Sequence, residues 1–396
     1  MTKGTENKYQ LGIVVSHPIQ YHVPLYRRLV ESDVLSPTVL FLSRHGVDPT
    51  YDGGFNQTIR YDVDLLEGYP HQFLPNVSPK PGVDRPWGLV NFGIARAIRR
   101  YGFDAVLVHG YAHISNWLTF GACVRQGVPL LLRGESRTDT GSIRRGWKRM
   151  VKDSLIHWLL ERCGACLAIG QRNADFYRMH GVPHRRIFFS PYSVSNDSFA
   201  EAGRIGRAFR DRRLGGLGLD PQRSTILFAA KLQPWKRPLD MLRLAHACPE
   251  FNVVIIGDGP LRGRLAEEAR VLPNVRLLGF VNQSEIGQWY GVADVFVLPS
   301  EHEPWGLAVN EAMAGGCVPA VSEAVGCAPD LVAGGAGLIF PIAGIERLAD
   351  ELRALMGDSL VLGEMKDRAR ERVRRFSIDT TARGIERAIE YAQEAR

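Results

Sequence analysis

The chain has 396 residues, of which 45% are hydrophobic and 23% charged; this excludes a disordered or fibrous protein and allows cores for about two domains. Its net charge of +7 is unevenly spread: residues 1–200 carry 24 Lys/Arg against 16 Asp/Glu and residues 201–396 carry 25 against 26, so the basic surplus belongs to the first half. No apolar run approaches the roughly 20 residues needed to span a bilayer, and the start, MTKGTENKYQ, lacks the apolar core of a signal peptide, so the expected location is the cytoplasm.

Short β-branched runs alternate with helical stretches along the first half. Residues 11–15 predict a strand, 23–30 a helix and 39–42 a second strand. At Asp62-Val63-Asp64 the aspartates alternate with Tyr61, Val63 and Leu65, the pattern of a half-exposed strand rather than of a metal site. Strands are then expected at residues 105–108, 129–132, 165–169 and 186–189. Between them, Arg144, Arg145, Lys148, Arg149 and Lys152 interleave with Trp147, Met150, Val151, Leu155 and Ile156 at helical spacing. Such a helix either lies on anionic lipid or packs its apolar face on the domain, and both readings stand. No nucleic-acid motif accompanies the patch, so nucleic acid is not an expected partner. Cys163 and Cys166 form a lone CxxC without a second pair or a His cluster and read as the start of a buried strand.

Residues 196–223, rich in Arg, Gly and Asp, read as an interdomain connection plus a surface helix. A second alternation follows, with strands at 225–229, 252–256, 275–278, 295–298 and 318–321, and residues 378–396 form a terminal helix. The expected fold class is α/β, with two Rossmann-like halves in series. The dinucleotide fingerprint is absent, because Gly257-Asp258-Gly259-Pro260 is followed by Gly263, one position late for GxGxxG. There is also no GK[ST] P-loop and no GxSxG elbow.

Residues 300–321, SEHEPWGLAVNEAMAGGCVPAV, carry the chemistry. A strand ends, a loop follows, and a helix begins near Trp305. Glu303 sits at the helix start and Glu311 eight residues later, about two turns on, among small and apolar neighbours. The free amides near Gly306 and Leu307 would make an anion site suited to a diphosphate. Taken singly, Glu303 complements a helix dipole and Glu311 fits an exposed edge.

Together the two carboxylates resemble the E-x7-E element of retaining GT-B glycosyltransferases of family 4, and EPWGLAVNEAMAGGCVPA follows that family's pattern closely. AAKLQPWKRPLDML (229–242) resembles its diphosphate-holding segment, VIIGDGPLRGRL (254–265) its helix-leading turn, and NVRLLGFV (274–281) the segment that meets the base. SHPIQYHVPLYRRL, YDVDLLEGYPHQFLPN, RGES and GVPHRRIFFSPYSV extend the likeness into the first half. The resemblance implies the GT-B fold, two Rossmann-like domains facing a central cleft. It implies an acceptor-binding domain at 1–200, a nucleotide-sugar domain at 201–377, and a helix at 378–396 packing back towards the first. It gives Glu303, Lys236 and Lys231 catalytic roles, with the lysines neutralising the diphosphate and Arg237 competing for the second position. Donor binding falls to Glu311 on the ribose and to Trp305, Gly306, Leu307 and Phe280.

The first domain departs from the pattern. The family's glycine-rich loop is replaced by Ser16-His17-Pro18-Ile19-Gln20-Tyr21-His22, where Gln20 or Tyr21 is expected to face the acceptor or the donor phosphates and His17 reads equally well as structural. The histidine that many relatives place on the donor sugar is replaced by Arg133-Gly134-Glu135. Arg133 or Glu135 takes over that contact, or His109 and His113 reach the cleft. The resemblance further implies retention of configuration, no metal and no cofactor. The implied partners are a nucleotide sugar and a glycan, lipid-linked or small-molecule acceptor, with peripheral membrane contact through the basic first half. The alternatives are a nucleotide-sugar epimerase, a sugar phosphorylase, or a catalytically silent nucleotide-binding member.

Overall fold

The structure, a computed structural model, describes residues 8–47, 50–52, 54, 57–59, 62–138 and 147–395. The elements run β1 (Tyr9–Val15), α1 (Val23–Val30), β2 (Leu35–Phe41), a short antiparallel hairpin of β3 (Thr50–Asp52) and β4 (Gln57–Ile59), and β5 (His71–Phe73). They continue with α2 (Ile94–Tyr101), β6 (Ala105–His109), α3 (Ile114–Gln126), β7 (Leu130–Arg133), α4 (Trp147–Arg162), β8 (Ala165–Ala168), α5 (Gln171–Met179) and β9 (Ile187–Phe189). After α6 (Asn196–Ala208) and α7 (Arg210–Gly216) come β10 (Thr225–Ala229), α8 (Asp240–Ala247), β11 (Asn252–Ile256), α9 (Arg262–Glu268), β12 (Val275–Gly279) and α10 (Gln283–Val292). The chain closes with β13 (Val295–Leu298), α11 (Leu307–Gly315), β14 (Val318–Ser322), β15 (Leu338–Phe340), α12 (Ile345–Gly357), α13 (Ser359–Arg374) and α14 (Ile378–Glu394).

Two compact units result. The first comprises Met1–Asp48, Asp64–Tyr192 and Ile378–Arg396, and the second Pro49–Val63 and Ser193–Ser377. The division therefore falls at Tyr192 rather than at residue 200, and the hairpin segment clusters with the second unit. Each unit holds one parallel sheet, in the order β5-β2-β1-β6-β7-β8-β9 in the first and β12-β11-β10-β13-β14-β15 in the second. Their strands are apolar along their length because helices cover both faces: Ile13, Leu107 and Leu131 are fully buried, as are Leu227, Val254 and Val297. In the first unit, helices α2 to α5 share one core, where Ile98, Phe120, Leu159 and Tyr177 meet Val108 and Leu132. On α14, Gly384 leaves no room for a Cβ against the Phe189 carbonyl.

Residues 196–223, expected as an interdomain connection plus a surface helix, contain two helices, α6 and α7. Helix α6 packs on α10 and α11 through glycines. A Cβ on Gly206 would strike the Gln288 carbonyl, one on Gly203 the Gly315 carbonyl, and one on Gly291 the Gly203 carbonyl. Glycine here brings helix backbones together, which is why the segment lacks an apolar stripe. The basic cluster falls partly outside the described residues, which exclude Arg144 and Arg145. Further along α4, Ile156, Leu159 and Leu160 are buried, while Met150, Val151 and Leu155 are exposed. Among the described residues no helix is long and apolar enough to cross a membrane.

Candidate functional site

In a doubly wound sheet, ligands bind beyond the carboxyl ends of the strands where the strand order reverses. In the second unit that point lies between β10 and β13, and Lys236 and Glu303 meet across it. Lys236 ends the 3-10 turn Pro234–Lys236 after β10, and its Nζ forms an ion pair with Glu303 Oε2. Both side chains are largely buried, at 18% and 12% exposure, so the pair is only lightly screened by water. The backbone holds this geometry from both sides. Glu301 N–H donates to Trp235 O (2.9 Å), Gly326 N–H to Glu303 O (2.9 Å) and Cys327 N–H to Trp305 O (3.0 Å). Gly326 must be glycine, since a Cβ would strike the Pro304 carbonyl.

Lys231 lies two residues past β10, in a turn pressed against Gly257 and Gly259. A Cβ on Gly257 would strike the Ala230 carbonyl, and one on Gly259 would stand 3.0 Å from Leu232 backbone atoms. At φ +140° and +152° these glycines seat the Lys231 turn, which accounts for a G-x-G that completes no dinucleotide fingerprint. Arg237, with φ +54°, is held by Asp240 (2.6 Å) and Glu301 (3.6 Å), so its guanidinium already has carboxylate partners. Trp305 is 3% exposed, and its indole N–H donates to Asn310 Oδ1 at 2.9 Å. Its ring is part of the core, and its carbonyl is taken by the Cys327 amide. Gly306 caps α11 at φ +99° and Leu307 opens the helix, so the first amides of α11 stand at the same sheet edge.

Glu311, about one turn into α11, is not on an exposed edge. Tyr290 Oη donates to its Oε2 at 2.8 Å and Gln283 Nε2 to its Oε1 at 3.3 Å. Burial raises its carboxyl above the usual value against the lowering effect of these two bonds. Each oxygen keeps lone-pair capacity for a further donor such as a hydroxyl. Phe280 is half-buried just past β12, at the same sheet edge.

In the first unit the strand order reverses between β1 and β6, and His22 and His109 meet there with ring centroids 4.6 Å apart. His22, which sequence reasoning did not single out, is 3% exposed, and its Nδ1 pairs with Tyr26 Oη at 3.3 Å. Burial and the neighbouring Arg133 push His109 down to about 3, and burial with His109 and Arg133 holds His22 well below its ordinary value. Both are neutral imidazoles near pH 7. Arg133 ends β7 and is 2% exposed. Its guanidinium donates to the carbonyls of Ser190 (3.1 Å) and Pro191 (2.7 Å) and lies 4.7 Å from the Tyr192 ring centroid. Arg133 therefore pins the chain after β9. Glu135 is exposed and accepts from Tyr192 Oη at 2.7 Å. Tyr21 is half-buried, edge-on to Tyr192 at 5.9 Å, with Gln20 half-buried beside it in the turn. His113 caps α3 and contacts the Val83 carbonyl at 3.0 Å, and His17 Nδ1 meets Ser16 Oγ at 2.9 Å; both bonds are structural.

The remaining motifs are occupied locally. Asp62 accepts from Ser284, and Asp64 from the amides of Leu66 (2.9 Å) and Glu67 (3.0 Å). Cys163 and Cys166 are buried free thiols, and hydrogen bonding between them together with burial raises Cys163 well above its ordinary value.

Two parallel doubly wound units of this kind make the GT-B fold. HepE of Anabaena, solved in complex with UDP and glucose, matches with a TM-score of 0.71 over 96% of this chain and 99% of that one, at 15% identity. WaaG, a glycosyltransferase involved in lipopolysaccharide biosynthesis, matches at 0.65 over 96% and 99%, with 13% identity. Likeness at such identity defines the fold alone. At the level of sequence, residues 210–376 match the family of glycosyl transferases group 1, a stretch that holds Lys231, Lys236, Glu303 and Glu311. A D-inositol 3-phosphate glycosyltransferase of Streptomyces bingchenggensis is 32% identical over 301 residues, 70% of this chain and 64% of the relative. Sulfoquinovosyl transferase SQD2 of Arabidopsis thaliana is 30% identical over 162 residues, 40% and 31% respectively. The matches thus span between 31% and 64% of the length of these relatives.

Proposed function

We propose that this chain is a glycosyltransferase that moves a sugar from a nucleoside diphosphate donor onto an acceptor with retention of anomeric configuration. The observation that carries the reading is the Lys236–Glu303 ion pair at the switch point of the second unit, inside the stretch that matches glycosyl transferases group 1. The charge that develops in sugar transfer is the diphosphate leaving group, which calls for cations and oriented amides placed beforehand. Lys236, Lys231 and the first amides of α11 supply them. Glu303, held against Lys236, is the group aimed at the transferred sugar, and Glu311, with spare lone pairs on both oxygens, receives the ribose hydroxyls. Asp62 and Asp64, each engaged by hydrogen bonds, support a transfer that uses cationic side chains in place of a metal bridge.

In the first unit, His22, His109 and Tyr21 line the corresponding edge, and this is the acceptor side of the reading. Neutral imidazoles suit hydroxyl groups, which they meet as donor or acceptor. Incubating the chain with nucleotide sugars and candidate acceptors, and following the fresh product by proton NMR, tests the reading. Retention is expected, and an inverted linkage sinks that part of it. An epimerised donor without acceptor, or a product that depends on inorganic phosphate, would replace transfer by epimerase or phosphorylase chemistry.

A further inference from the structure

Between β5 and β6 the first unit presents an aromatic and basic surface that the transfer reading does not use. The segment after β5 is an ordered loop: Val77 N–H donates to Val90 O (2.9 Å), Asn76 Nδ2 to Gly88 O (2.9 Å) and Ser78 Oγ to Trp87 O (2.7 Å). Asn91 anchors its end by donating to the carbonyls of Leu42 (3.1 Å), Leu74 (2.9 Å) and Pro75 (2.9 Å). A loop this well tied has little freedom to hide its apolar side chains, yet Trp87 is 71% exposed, Phe92 70% and Val77 56%. Exposed aromatics gathered on one segment mark an interaction surface.

The basic half of the surface adjoins them. Helix α2 buries Ile94, Ala97 and Ile98 and turns Arg96, Arg99 and Arg100 outward, a spacing that puts three guanidiniums on one face. Phe92 lies four residues before Arg96 and extends the same row towards the loop. None of the three arginines has a carboxylate partner among the described residues, and the one acid of the loop, Asp84, is taken by Arg85 at 3.1 Å. Gln126 Nε2 donates to Ala95 O at 2.9 Å, which brings Arg125 at the end of α3 beside the start of α2. Positive charge without local compensation, next to large apolar side chains that nothing covers, complements the charge and the interfacial apolar zone of an anionic bilayer.

We propose that this surface, made by Val77, Trp87, Phe92, Arg96, Arg99 and Arg100, docks the protein on an anionic lipid surface. The aromatics enter the headgroup boundary and the arginines meet the lipid phosphates. The docking is independent of which sugar is transferred, and it places the contact on α2 and the preceding loop instead of on α4.

Co-sedimentation of the full chain with vesicles tests it, using phosphatidylglycerol mixed with phosphatidylcholine against phosphatidylcholine alone. Binding is expected only to the anionic vesicles, and it should weaken as salt rises. Replacing all three arginines by Gln should lower the affinity on the order of 100-fold, since each basic residue near an anionic surface contributes about a fivefold factor. Trp87→Ser with Phe92→Ser should also release the protein, and the melting curve of each variant checks that it is folded. Equal binding to neutral vesicles would overturn the proposal. So would full binding by the folded arginine and aromatic variants with loss in Met150→Ser/Leu155→Ser, which would move the contact to α4, or tighter binding to duplex DNA than to the anionic vesicles.

Discussion

Glu303 and Lys236 come from loops 67 residues apart, and only the order of the strands brings them together. Glu303→Gln keeps the shape of the side chain and removes its charge, so turnover with a working donor is expected to fall on the order of 100-fold in a protein that still folds, with a lowered melting temperature because the buried Lys236 loses its ionic partner. Glu311→Ala acts differently. It is expected to weaken nucleotide binding and to leave the buried Tyr290 hydroxyl without its acceptor, at a cost of about 1–3 kcal/mol, whereas Glu311→Gln should retain an acceptor and recover part of that stability. Urea denaturation beside nucleotide titration separates the two effects. Sequence reasoning singled out both carboxylates because their spacing across one loop and the helix that follows is local. It did not find His22, whose place depends on β1 lying next to β6. It offered Arg133 or Glu135, or His109 and His113, for the sugar contact, and in the structure the Arg133 guanidinium donates to the Ser190 and Pro191 carbonyls.

The two histidines also set a pH dependence. Unfolded, each takes up a proton as the pH falls through about 6.5, while in the fold His109 is pushed down to about 3 and His22 also lies well below its ordinary value. Their contribution to stability is complete above the unfolded value and is lost on acidification through that window, at about 1.4 kcal/mol per pH unit for each histidine. Glu311, raised by burial, contributes with the opposite sign, so wild type and a single variant must be compared. Urea midpoints measured from pH 7 down to pH 5 should fall less steeply in His109→Gln than in the wild type.

At the scale of elements, the parallel strands other than β5 and β15 could be read because continuous apolar runs between helical stretches are the mark of sheets covered on both faces, whereas those two three-residue edge strands are too short for such a run. The hairpin of β3 and β4 could not, since three-residue polar strands carry no periodicity. The segment read as a connection plus a surface helix holds α6, whose packing face pairs Phe199 with Gly203 and Gly206 and so leaves too few apolar residues for a stripe. A single methyl group at Gly206 would run into the Gln288 backbone, so Gly206→Ala is expected to cost about 1–3 kcal/mol through displacement of α10. Gly215, with open space around it, is the control position, where alanine should be nearly neutral. Parallel melts of the two variants check the contrast.

On the scale of the whole molecule, the chain makes one unit, supplies a hairpin segment to the other, completes that other unit, and returns through α14 to finish the first. The donor reading rests entirely on the second unit, where the sheet edge gathers Lys231, Lys236, Glu303, Glu311 and the start of α11. The most direct test of the account is a differential thermal melt of the full chain against a panel of nucleoside diphosphates and nucleotide sugars. A ligand at 100 times its dissociation constant stabilises the folded state by about 2.7 kcal/mol. The account predicts a clear upward shift with one nucleoside diphosphate, reduced or lost in Glu311→Ala. The absence of a shift with every member of the panel, or a shift of the same size in the Glu311→Ala protein, would contradict it.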